Sequence, residues 1–115
     1  MTLQQTLKKF GETLAELPVS VFHFRRSKMS PPYAVWQEDG EGESLLAENR
    51  RAEPVIAGSL DYYTKTEFDP VVEQINQLLE QHADGWELVT VLYEEETHLM
   101  HYSWDWELCY GEDHV

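Results

Sequence analysis

Apolar residues along this chain change period from helical to strand-like and back. Leu3, Leu7, Phe10 and Leu14 recur at spacings of one helix face, with Lys8, Lys9 and Glu12 elsewhere around the cylinder. Thr2 is placed to cap this helix, and Pro18 ends it no later than Leu17. The period then becomes two. Val19, Val21 and the phenylalanines of VSVFHF alternate with Ser20 and His23, which predicts a strand. RRSK and Ser30-Pro31-Pro32 predict a loop, and Tyr33 to Trp36 a short second strand. A long polar loop is expected over 37–54, a length more typical of functional or mobile segments.

Val55 to Thr66 reads as a third strand, with Ile56, Leu60 and Tyr62 on one face. Gly58 sits in mid-strand, where glycine marks either a bulge or a close approach to the backbone. Asp69-Pro70 is a helix start, with Asp as cap and Pro in the first turn. Val71, Val72, Ile75, Leu78, Leu79 and His82 follow at helical spacing until Asp84-Gly85. Trp86 to Tyr93, a turn at 94–97, and His98 to Tyr110 predict a closing hairpin. On its returning strand Met100, Tyr102, Trp104, Trp106, Leu108 and Tyr110 occupy alternate positions. The expected architecture is α+β: two layers, with two helices on one face of a mainly antiparallel sheet of about five strands, in the order α-β-β-β-α-β-β. Residues 1–115 are expected to form one domain, with a frayed tail at 111–115.

Charge alters the picture more than composition does. The chain carries 22 Asp and Glu against 8 Lys and Arg, a formal net charge of −14. All the basic residues lie in 1–66, which is nearly balanced; residues 67–115 contain no Lys or Arg. Such an acidic chain is not expected to bind a nucleic-acid backbone or an anionic membrane directly. The single Cys109 excludes an intramolecular disulfide, and the N-terminal sequence lacks the pattern of a signal peptide. No apolar run reaches membrane-spanning length, so a soluble protein made in a cytoplasm is expected.

Candidate chemistry is sparse. His98 and His101 lie near Glu95 and Glu96, but residues three apart on a strand face opposite sides and do not converge on one ion. Cys109 has no basic sequence neighbour to lower its pKa. No nucleophile elbow, phosphate-binding glycine loop or dinucleotide fingerprint is present. No cofactor and no enzymatic activity are expected.

The run Leu17-Pro18-Val19 with Pro31-Pro32-Tyr33-Ala34-Val35-Trp36 resembles a family of small minor tail proteins of long-tailed bacteriophages and prophages. So do Gly40, Ala47-Glu48-Asn49, Leu60 to Lys65, Asp69-Pro70 with its helix, and Trp86-Glu87 followed by Tyr93 to Glu96. The similarity covers 17–108 and points to the tail-terminator, or tail-completion, group at the head–tail junction. Glu48 stands where the family more typically has aspartate, and the final strand is more aromatic than the family pattern.

The resemblance implies a structural role: a homo-oligomeric ring, usually a hexamer, formed by the free protein or only on assembly. It also implies tail-tube and head-completion proteins as partners, and a path from the bacterial host cytoplasm into the virion tail. A head-to-tail ring needs two different complementary surfaces. Arg25, Arg26 and Lys28 with Arg50 and Arg51 in two loops, and Glu94, Glu95 and Glu96 in a third, are the expected pair. A second reading from another class is an acidic inhibitor that mimics nucleic acid in the groove of a DNA-binding enzyme. It requires carboxylates spread over one exposed face. A small hydrolase or metal-dependent enzyme is a third.

Overall fold

The computed structural model describes residues 1–25, 30–42 and 54–111. Two helices, α1 (Leu3–Leu14) and α2 (Pro70–His82), pack on one face of a sheet of β1 (Ser20–His23), β2 (Tyr33–Glu41), β3 (Val55–Thr64), β4 (Gly85–Glu94) and β5 (Leu99–Cys109). The expected α+β order is the observed one.

Both helix starts form as their sequences dictate. Thr2 Oγ1 accepts from the Gln5 N–H at 3.1 Å, and Gln5 Oε1 accepts from the Thr2 N–H at 2.9 Å, a reciprocal capping box. At α2, Asp69 Oδ1 accepts from the Val71 N–H at 2.9 Å, with Pro70 in the first turn, where its missing N–H costs nothing.

The strand order is β1-β2-β3-β5-β4; β1 and β2 are parallel and every other pair is antiparallel. Even-numbered residues of β3 and β5 point toward the helices. Leu60, Tyr62, Trp104 and Trp106 there are fully buried against Phe10, Leu14, Ile75 and Leu79. Each tryptophan removes on the order of 200 Å² from water, about 5 kcal/mol of gross transfer free energy, an upper bound. Phe10 meets Trp36 edge-to-face at 5.6 Å and Trp106 at 4.7 Å, which locks α1 to the sheet.

Gly58 explains itself in this register. A Cβ there would overlap both the Gln37 carbonyl of β2 and the Trp106 indole, so the close approach predicted at this position is real.

Two boundaries differ from expectation. The loop placed at 37–54 begins later: Gln37 to Glu41 continue β2 and pair with Ile56 to Ser59, with a bulge between Glu38 and Gly40. Backbone pairing, not apolar alternation, makes this stretch a strand, so its polar side chains hid it. Residues 43–53 lie outside the described residues. At the other end, Gly111 is tied down rather than frayed. Its N–H donates to the Met1 carbonyl, and its carbonyl accepts from the Met1 ammonium, both at 2.7 Å. Residues 112–115 lie outside the described residues.

Candidate functional site

The hairpin edge is the first notable surface. β4 closes one side of the sheet, and only its first part is covered: Trp86 Nε1 donates to Glu80 Oε1 of α2 at 2.9 Å. Beyond that point the strand outruns the helices. Leu88, Val89, Val91, Leu92 and Tyr93 are 39%, 47%, 52%, 55% and 57% exposed. A register shift between Leu88 and Thr90 changes the phase of alternation. Trp86 and Leu88 before it, and Val91 and Tyr93 after it, thus all stand opposite helix-side residues of β5. The strand's outer row of N–H and C=O groups has no pairing strand among the described residues.

At the hairpin tip, Glu94, Glu95 and Glu96 are exposed, as their sequence predicted. Thr97 Oγ1 donates to Glu94 Oε1 at 3.1 Å, and Tyr93 Oη lies 3.0 Å from His98 Nδ1, which fixes the turn. His98 belongs to this turn, whereas His101 stands on β5 beside Asp61, so the two histidines serve different partners.

The opposite edge carries the described part of the basic side. Arg25, exposed just after β1, lies across the sheet from the glutamate tip, so one chain does not bring the two together. Arg26, Lys28, Arg50 and Arg51 lie outside the described residues. Beside β1 the structure adds a feature the sequence did not reveal: a groove of about 560 Å³ between α1 and β1–β2. Leu7, Gly11, Ala15, Val21 and Trp36 form its apolar lining; Lys8, Glu12 and the His23–Glu38 pair contribute the polar groups. His23 stacks on Trp36 at 3.9 Å and reaches Glu38 Oε1 at 2.7 Å. A Cβ on Gly11 would lie 2.8 Å from the Trp36 ring, so glycine sets how deeply the helix sits.

The sheet face away from the helices is polar. His101 Nε2 lies 2.8 Å from Asp61 Oδ1 and 3.2 Å from Ser103 Oγ, and Ser103 Oγ donates a short hydrogen bond to the same Asp61 oxygen. The residue types are those of a hydrolytic triad, but the geometry is not. A triad needs the acid on one ring nitrogen and the nucleophile on the other; here both contact Nε2. Tyr63 stacks on His101 at 4.2 Å and on Tyr33 at 4.9 Å, which packs the cluster sideways against β2.

Asp105 lies on the same face. Burial, then the nearby charges of Glu87, Asp39 and Asp61, push its carboxyl above the usual range. The face therefore concentrates negative charge. Among the described residues no three His, Cys, Asp or Glu side chains form a group able to hold a metal ion.

One further polar cluster is structural. Tyr62 Oη and Thr64 Oγ1 each donate to Asp69 Oδ2 at 2.7 Å, clamping the end of β3 to the start of α2. Burial pushes Asp69 up, yet the hydrogen bonds from Thr64, Tyr62 and the Val71 backbone outweigh it and hold the carboxyl below its ordinary value. Burial, followed by the bond to Asp69, raises the Tyr62 phenol. The Tyr62, Thr64 and Asp69 positions of the sequence run are thus explained by folding.

No protein-family model matches the chain, and no curated protein is significantly similar to it in sequence.

Proposed function

We propose that this protein is a structural, ring-forming tail protein of a long-tailed phage or prophage, of the tail-terminator kind, acting at the head–tail junction. The observation that carries the reading is the β4 edge. An exposed strand with five large apolar side chains and a backbone edge unpaired among the described residues is a surface suited to another chain, since isolated soluble domains blunt such edges. The motif resemblance over 17–108 names the kind of assembly. The glutamate tip and the basic loops supply unlike surfaces of the sort a closed ring needs.

The test is genetic. Removing the gene from an inducible prophage that carries it yields heads and tails that fail to join, and supplying the protein restores virions. Normal virion yield without it overturns the reading.

The acidic-mimic reading keeps one specific support: Asp39, Asp61, Glu87, Asp105 and Glu107 share the uncovered sheet face. It predicts a monomer or dimer that competes with DNA for a basic groove. A heparin-displaceable complex with a DNA-binding enzyme would favour it over the ring.

A further inference from the structure

We infer that the groove between α1 and β1 receives the β4 hairpin edge of a second copy of this chain, joined antiparallel to β1 so that the sheet continues from subunit to subunit. The inference rests on the ring-forming reading and adds to it which surface meets which.

Strand directions carry the first argument. Taking β1 as up, the pairings make β2 up, β3 down, β5 up and β4 down. Setting two copies side by side with the same orientation places β4 of one beside β1 of the next. The two edges then run antiparallel and both helix layers lie on the same side. No chain has to turn over, and the repeat is head-to-tail, which closes into a ring when each step adds a small rotation.

Shape carries the second. In this arrangement the helix-side residues Val91 and Tyr93 of the added strand point to the side of the sheet on which the groove lies, with Leu7 of α1 on its wall and Val21 and Trp36 on its floor. Residues 88–94 extend over roughly 20 Å, and α1, the groove's wall, is about 18 Å long, so one covers the other. Along the four residues of β1 the joined edges also pair two rows of backbone groups that have no pairing strand among the described residues.

Charge disfavours the main rival, a two-fold dimer through β4 alone. Centring the apolar run on itself puts Glu87 opposite Glu94 at both ends, a like-charge pairing that opposes association. The β1 edge carries no such like-charge row: Lys8 on the groove and Arg25 just past the strand offset Glu12, and Glu38 is engaged by His23.

Cross-linking tests the contact. In a Cys109→Ser background, Val91→Cys and Ala15→Cys are made in separate, differently tagged proteins, mixed at high concentration and treated with a short bis-maleimide. Both positions are exposed, so the fold is not at risk. The expected product is the mixed dimer, lost on dilution below the assembly concentration. Val91→Cys homodimers in its place overturn the inference in favour of the two-fold contact. Oligomers that sediment normally yet give neither product overturn the inference and leave the ring reading standing. Monomers at every concentration, with no product, overturn both.

Discussion

The two halves of the β4–β5 hairpin are equally apolar in sequence and fare differently in the fold. On β5, Trp104, Trp106 and Leu108 lie under α1 and α2, at most 4% exposed. On β4, Leu88, Val89, Val91, Leu92 and Tyr93 pass beyond both helices and stay at least 39% exposed. Burial in the single chain explains the first set. Nothing among the described residues explains the second, since each exposed large side chain forgoes roughly 1.5–3 kcal/mol of transfer free energy. The contrast separates residues that make the domain from residues available to make an assembly.

Four variants probe that division, beginning with the largest expected loss of monomer stability. Trp104→Ala empties the centre of the covered face and removes the Nε1 bond to Asn76 Oδ1 at 2.8 Å; about 3–5 kcal/mol should be lost in denaturant unfolding. A loss under about 1 kcal/mol would mean the core is not centred there.

Next is Asp69→Asn, whose one carbonyl oxygen can accept either from Tyr62 and Thr64 or from the Val71 N–H but not from both sides, and which should cost about 1–3 kcal/mol. Because the folded carboxyl titrates below its ordinary value, its contribution is present above the unfolded pKa of roughly 4 and is lost as pH falls through the lower folded value. The variant should therefore show a shallower decline of stability in acid than the parent, measured by urea midpoints across that range.

Val91→Lys with Leu92→Lys should change monomer unfolding by no more than about 0.5 kcal/mol, because both side chains already face water. A larger loss would place these residues with the core.

The smallest effect belongs to Asp105→Asn. Its raised carboxyl opposes folding when ionised, and this penalty is relieved as pH falls through the folded value. The variant should be slightly more stable than the parent at neutral pH, with the gain vanishing in acid. A destabilised variant would show that the open face is not electrostatically crowded.

Much of the covered region was legible in the sequence. Strict alternation in Met100 to Tyr110 announced the buried face, and Thr2 and Asp69-Pro70 fixed both helix starts to the residue. The extension of β2 over Gln37 to Glu41 was not legible, because a polar strand held by backbone pairing carries no apolar period. The surfaces proposed for assembly were legible in part. The glutamate tip is local and appeared directly, whereas the groove joins residues from α1, β1 and β2 that only tertiary packing brings together. The exposure of the β4 run was not legible, since composition does not tell how far the helices reach, and the register shift at Val89 scrambles its period. The Asp61–His101–Ser103 cluster likewise depends on the β3–β5 register.

The central claim, that the exposed β4 edge is a contact between copies, is tested most directly by sedimentation velocity of the parent and the Val91→Lys, Leu92→Lys variant over a wide concentration range. The account predicts that the parent gives concentration-dependent species larger than a dimer and that the folded variant stays monomeric. A variant that assembles as the parent does would contradict it.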